Sequence, residues 1–456
     1  MVFLMKNLSS KTTIWLLISV LFGMVIIASG LIMFVLRLQV EVACTNSDDC
    51  RQMGVMGGVV FSFSKPYDAK QFTALVSVEG ADTGDWVIED QQNVRWLAST
   101  PLVPGSTVTF LLEKGQLGSS GERLRRTQRW DIEVRAPEIA VLGESRAGYE
   151  VFVLDEDGVS VSLTQTGGKI QAFEPSPDGE QLALAVENDF GGVDLWLATR
   201  NGSDLRVEVA CGEERCHSPA WSPDGMVLVY VRSSNASADG GGNVWMKGLH
   251  RGTEQLATEV QADNATQPRW SPDGQWISYV VKDDIFLVEI PTLETAQLTS
   301  SDGSEGCWTA DGSSYLYTAT LADELSIRNG VLRWNVEDGS LSCLCEAVSI
   351  EDFGNLDRPV CHPRENLAVI RVQPNLRISG YQLTLVDLTE LNDQLIVSDF
   401  TRIFSQLTWS PSGEQLLYQA FQPGSGDSEP EIWLWQRDSD ELQQVASGFF
   451  SPRWLP

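Results

Sequence analysis

One short phrase recurs along the C-terminal two-thirds of this 456-residue chain and limits what it can fold into. It reads Glu174-Pro175-Ser176-Pro177-Asp178-Gly179, then Trp221-Ser222-Pro223-Asp224-Gly225, then Trp270-Ser271-Pro272-Asp273-Gly274. Eroded copies follow at Trp308-Thr309-Ala310-Asp311-Gly312 and Trp409-Ser410-Pro411-Ser412-Gly413, with a degenerate one at Cys361-His362-Pro363-Arg364-Glu365. The spacing is roughly 40 to 50 residues, the period of β-propeller blades.

Each copy has similar surroundings. An apolar segment follows it, as at Leu182-Ala183-Leu184-Ala185-Val186, Leu228-Val229-Tyr230-Val231 or Ile277-Ser278-Tyr279-Val280-Val281. After a polar gap comes a second run with an aromatic, as at Asp194-Leu195-Trp196-Leu197 or Glu431-Ile432-Trp433-Leu434. Short runs of this kind between turn signals predict antiparallel strands. The phrase itself is a turn. Pro177, Pro223, Pro272 and Pro411 fix φ. Asp178, Asp224, Asp273 and Asp311 can bond their own backbone, and Gly179, Gly225, Gly274, Gly312 and Gly413 take positive φ. The tryptophans beside it (Trp221, Trp270, Trp308, Trp409 and, in a final strand, Trp454) are expected to pack between neighbouring blades.

The two ends of the repeat region fit together. Residues from Glu138 to Thr166 have strands but no opening phrase, whereas Ser451-Pro452-Arg453-Trp454 repeats Gln267-Pro268-Arg269-Trp270 and then the chain stops. The last strand is therefore expected to complete the first blade and close the ring. This counts seven blades, with six or eight open if the stretch from Cys361 to Phe400 is misread. The phrase and its downstream strands resemble the W-S-P-D-G repeat of TolB-like propellers, and the resemblance covers about residues 138 to 456. It implies protein contacts in the cell envelope.

Residues 41 to 136 lack the repeat. Val59-Val60-Phe61-Ser62-Phe63-Ser64-Lys65-Pro66, Pro101-Leu102-Val103-Pro104-Gly105 and Thr107 to Leu112 predict a small β-sandwich. These motifs resemble bacterial Ig-like domains, which implies a spacer or adhesion role. A basic cluster, Arg123, Arg125, Arg126 and Arg129, reads as a solvated hairpin or as a contact for an acidic partner.

The fold class expected is thus all-β, a propeller preceded by an Ig-like sandwich and one transmembrane helix. From Thr12 to Leu36 no residue is charged, a run of 25 residues or about 37 Å of helix, enough to span a bilayer. Lys6 and Lys11 precede it, which places residues 1–11 in the cytoplasm and the domains beyond residue 40 outside, in a bacterial cell envelope. A cleaved signal peptide ending near Ala28-Ser29-Gly30, a lipoprotein site at Cys44 and a buried helix compete with this reading.

Eight cysteines, an even number, read as disulfides outside the cytoplasm. Cys44 with Cys50 and Cys211 with Cys216 are the expected pairs, while the pairing of Cys307, Cys343, Cys345 and Cys361 stays open. No C-x-x-C occurs and only three His exist, so no metal is expected. The charge of -30, from 62 acidic against 32 basic residues, disfavours nucleic acid as a partner. No nucleophile elbow, P-loop or dinucleotide fingerprint is present, so neither catalytic residues nor a cofactor are expected. His217 and His362 read as turn or rim residues, and Asp155-Glu156-Asp157-Gly158 as a strand-connecting turn. The expected function is a non-catalytic module binding a protein or glycan of the envelope. The alternative is an envelope glycosidase or lyase using carboxylates in the propeller channel.

Overall fold

The structure is a computed structural model that describes residues 38–44, 50–155, 158, 160–234, 242–249, 254–256, 265–322, 327–347, 354–375, 377, 380–422 and 429–456. The apolar run 12–36, the tail 1–11 and His250 lie outside the described residues. Among the described residues no helix is long and apolar enough to cross a membrane. The chain divides into two compact units. One comprises residues up to Arg51, Val59–Trp96 and Thr107–Glu133; the other comprises Gln52–Gly58, Leu97–Ser106 and Val134–Pro456.

The smaller unit is built from strands that alternate in burial. One sheet includes Val40–Cys44 paired antiparallel with Gly58–Phe63. Another places Thr107–Leu112 between Gln128–Val134 and Val76–Glu79. Phe61 of the first sheet meets Phe110 and Trp130 of the second, with ring centroids 5.6 and 5.5 Å apart, so the two sheets face each other across an aromatic core. A seven-residue helix, Ala69–Leu75, is an element the period-two alternation does not reveal. Asp68 caps it by accepting from Lys70 N and Gln71 N, and Phe72 is buried against Phe61. The Cys44–Cys50 disulfide ties the end of the first strand. Arg123, Arg125, Arg126 and Arg129 are exposed, and Arg129 pairs with Asp131 at 2.9 Å.

The larger unit is a β-propeller. Antiparallel meanders follow one another: Ala265–Trp270 to Thr295–Thr299, Cys307–Trp308 to Leu341–Cys343, Leu356–Cys361 to Asp393–Ser398, and Ile403–Trp409 to Glu441–Ser447. Before them, residues from Ile170 to Leu256 form an eight-stranded sheet. It consists of two meanders joined by a single parallel pair, Val193 with Arg215. The remaining sheet orders Ser160–Ser162, Gly148–Leu154, Glu138–Ser145 and then Phe449–Leu455 from the far end of the chain. Closure runs through Glu138 opposite Leu455 and Ile139 opposite Trp454.

Apolar clusters fill the spaces between successive meanders. One joins Ala140, Leu142 and Val151 to Leu182, Leu184 and Val186; another joins Ala220, Val229 and Val244 to Ile277 and Tyr279. Stacking on both sides explains a departure from the expected alternation. Leu182–Val186 is buried at all five positions and Leu367–Val372 at all six, because both faces of these strands meet a neighbouring sheet.

Candidate functional site in the axial cavity of the propeller

The turn phrase forms a repeated hydrogen-bond unit whose centre is its serine. Ser222 Oγ donates to Asp224 Oδ1 at 2.6 Å and accepts from Val227 N at 2.9 Å. Asp224 Oδ1 also accepts from Met226 N, and Gly225 N donates to Ser222 O with Gly225 at φ +70°. The same bonds recur on Ser176 and Asp178 with Gly179, on Ser271 and Asp273 with Gly274, and on Thr309 and Asp311 with Gly312. Ser410 keeps its bond to Gln415 N, and Ser412 takes the place of the aspartate, with Gly413 at φ +82°. Pro177, Pro272, Pro363 and Pro411 gather with Pro456 around one opening, and Pro223 lies on an adjoining hollow.

The degenerate copy is solved differently. His362 stands where the others have serine and is buried, not at a rim. Its Nδ1 accepts from Arg364 N and Glu365 N at 3.2 and 2.8 Å, which leaves the proton on Nε2 to donate to Gly413 O at 3.0 Å. Both ring nitrogens are thus committed to backbone, and the ring packs edge-on to Trp409. Burial pushes its pKa below the ordinary 6.5. The unfolded chain therefore takes up this proton at higher pH than the folded one does. The stability tied to neutral His362 is complete above about pH 6.5 and is lost as pH falls through the folded value. Thermal melts between about pH 5 and 8 should show a steeper acid loss for the parent than for His362→Ser, which restores the serine of the other copies and does not titrate there. Equal slopes would rule the histidine out as the cause. A Cβ on Gly413 would stand 2.0 Å from His362 Nε2, so Gly413→Ala should also be strongly destabilising.

The tryptophans bridge neighbouring sheets. Trp221 Nε1 donates to Glu174 O, Trp409 Nε1 to Val360 O and Trp454 Nε1 to Thr408 O, each acceptor lying 46 to 49 residues earlier. Trp270 and Trp308 are packed among the same inter-sheet clusters. Cys211 pairs with Cys216 inside the cluster that holds Tyr230. The four cysteines whose pairing was open form Cys307–Cys361, which links the innermost strands of two adjacent sheets, and Cys343–Cys345.

The innermost strands enclose an axial cavity of about 570 Å³. The residue before the tryptophan position contributes Glu174, Arg269, Cys307, Val360, Thr408 and Arg453 to its wall. Two positions earlier, Gln267, Arg358 and Gln406 on their strands and Glu305 just ahead of its strand line the wall. On the strands that carry Gln267, Arg358 and Gln406 a bulge lies between these two layers, where the pairing register shifts. Gln267, Arg358 and Gln406 sit there at φ 53, 49 and 50°, and Ser218 and Ser451 adopt the same conformation in two further innermost strands. Left-handed backbone costs a non-glycine residue about 1–2 kcal/mol. Its recurrence at one strand position marks a built feature that turns side chains of both layers towards the axis.

The charges in the wall are mostly paired. Arg453 Nε lies 3.1 Å from Glu174 Oε2, and its Nη1 donates to Gln406 Oε1 at 3.3 Å. Arg269 Nε lies 3.0 Å from Glu305 Oε2. Glu305, and then Glu174, hold the Arg269 guanidinium above its usual pKa against the effect of burial. Asp302 reaches the cavity from a loop in which its Oδ1 accepts from Ser300 Oγ, Ser304 N and Ser304 Oγ. His217 lies on the innermost strand Arg215–Trp221, with Nδ1 2.9 Å from Ser218 Oγ. No cluster of His, Cys, Asp and Glu able to hold a metal occurs among the described residues.

Fold and cavity together define a β-propeller with a polar, ion-paired channel. The family model for the dipeptidyl peptidase IV (DPP IV) N-terminal region matches residues 238–335. No curated protein matches the chain. Among solved structures, a putative TolB from Agrobacterium tumefaciens is 17% identical, covering 54% of this chain and 84% of its own, with a TM-score of 0.39. The propeller domain of the Trilobed protease from Pyrococcus furiosus is 14% identical over 61% of this chain and 86% of its own, with a TM-score of 0.45. A chain from a study of two prolyl endopeptidases is 11% identical over 82% of this chain and 50% of its own, with a TM-score of 0.48.

Proposed function

We propose that this protein is a binding module of the cell envelope. It holds a seven-bladed propeller outside the cytoplasm on an Ig-like sandwich and a membrane-spanning N-terminal helix. The uncharged run from Thr12 to Leu36 with Lys6 and Lys11 before it supports the anchor. All eight cysteines are paired, which suits an oxidising compartment. One observation carries the choice of binding over catalysis: Glu174 and Glu305 are each engaged by an arginine, and both nitrogens of His362 are engaged by backbone. A general acid, base or nucleophile needs a free proton or lone pair facing the substrate, and these groups are occupied in holding the wall together.

The test is capture from envelope membranes by the full chain in detergent, with crosslinking and mass spectrometry. A reproducible protein partner that survives high salt is expected. Enrichment of bulk envelope material alone would count against the module. The same carboxylates would serve an envelope glycosidase or lyase. Turnover of a glycan by the purified chain, lost in Glu305→Gln, would reverse the assignment.

A further inference from the structure

The wall of the axial cavity carries charges of both signs. In order around the ring they are Arg453, Glu174, Arg269, Asp302, Glu305 and Arg358. Two of the three arginines are paired, Arg453 with Glu174 and Arg269 with Glu305, which leaves Arg358 and Asp302 outside these pairs. The arginine left over is Arg358. It is exposed, lines the cavity, and has no carboxylate paired with its guanidinium among the described residues. Its place is enforced by the backbone: φ at Arg358 is 49°, in the bulge that Gln267 and Gln406 share.

We propose that Arg358 is the anchor of a ligand site in the axial cavity, and that it receives a single carboxylate. This rests on the reading of the propeller as a binding module. A guanidinium presents a planar fork that fits a carboxylate or a phosphate oxygen pair. The choice falls on carboxylate because one guanidinium is left for the ligand, and because Asp302 stands in the same wall and opposes a second negative charge on the ligand. Gln267 and Gln406, in the same layer as Arg358, offer amide donors and acceptors to the ligand's body. A cavity of about 570 Å³ accepts a body the size of a short peptide end or a small organic acid.

The test is calorimetric titration of the full chain in detergent at constant ionic strength. The probes are N-acetyl-trialanine, which has one free carboxylate, then propionate and inorganic phosphate. Saturable binding of N-acetyl-trialanine or propionate is expected, with phosphate weaker. Arg358→Asn, chosen because asparagine tolerates the left-handed conformation, should weaken it about ten- to hundred-fold. Arg358→Gly should do the same if the asparagine variant does not fold. Arg206→Gln, on an outer strand, should change nothing. Tighter binding of the peptide than of propionate assigns the natural carboxylate to a chain end; the reverse assigns it to a free acid. The proposal is overturned if neither carboxylate binds, if phosphate binds as tightly, or if the Arg358 variants bind like the parent. Capture of an envelope partner with no carboxylate binding would refute this site and leave the module intact.

Discussion

Removal of residues 449–456 is expected to abolish the folded propeller, not to lower its stability by a small step. The segment Phe449–Leu455 is the fourth strand of the sheet that begins at Glu138. It brings Leu455 into a cluster built by the first two meanders and Trp454 into one built by the last, both side chains being buried. It also carries Arg453 to Glu174 and the Trp454 indole N–H to Thr408 O. Losing one buried Trp costs about 3–5 kcal/mol and one buried Leu about 2–5 kcal/mol. A whole domain is held by only about 5–15 kcal/mol. The deletion also leaves Glu138–Ser145 as an open edge with Ala140, Val141 and Leu142 uncovered. Near-ultraviolet circular dichroism and a thermal melt of the truncated full-length chain should show no cooperative propeller transition. Trp454→Ala alone should keep the transition and lower its midpoint. A truncated chain that melts within a few degrees of the parent would mean that ring closure contributes little.

The closing strand is legible in the sequence because Ser451-Pro452-Arg453-Trp454 copies Gln267-Pro268-Arg269-Trp270. The copy survives because each tryptophan sits in the same space between two sheets. The phrase is legible for the same reason, since a turn of fixed geometry admits few residue types. Its serine carries two bonds in each full copy and gives no signal of its own, because Pro, Asp and Gly are the stronger turn signals. His362 shows how that serine can be replaced: an imidazole Nδ1 accepts the backbone donors instead.

The cavity wall is illegible for the opposite reason. The position before the tryptophan is Glu174, Ala220, Arg269, Cys307, Val360, Thr408 and Arg453 in turn. Side chains there face open space on the axis, so packing imposes no common residue and no repeat signal forms. The wall positions lie one and three residues before each tryptophan position. Nothing in residue type alone pairs Glu305 with Arg269 and leaves Arg358 over. The left-handed backbone that sets the two layers falls on Ser, Gln and Arg, residues that do not announce it.

Replacing Cys307 and Cys361 together by serine should cost far more stability than replacing Cys343 and Cys345. The reasoning is entropic. A disulfide restricts the unfolded chain in proportion to the logarithm of the loop it closes. Cys307–Cys361 spans 54 residues, Cys211–Cys216 five and Cys343–Cys345 two. On that scale the long loop contributes about 4 kcal/mol, the middle one about 2 and the shortest about 1.5. The long bridge also joins the innermost strands of two adjacent sheets, and both its cysteines line the axial cavity. Its loss should therefore loosen the wall that holds Arg358 as well as lower the melting midpoint. Denaturant unfolding of the three double-serine variants, read at constant m-value, gives the order. If the Cys307→Ser, Cys361→Ser protein is no less stable than the Cys343→Ser, Cys345→Ser protein, the bridge does not staple the ring. If the expected order is found, the propeller depends on a bond that a reducing compartment would break. Folding itself would then favour the extracytoplasmic location proposed for this domain.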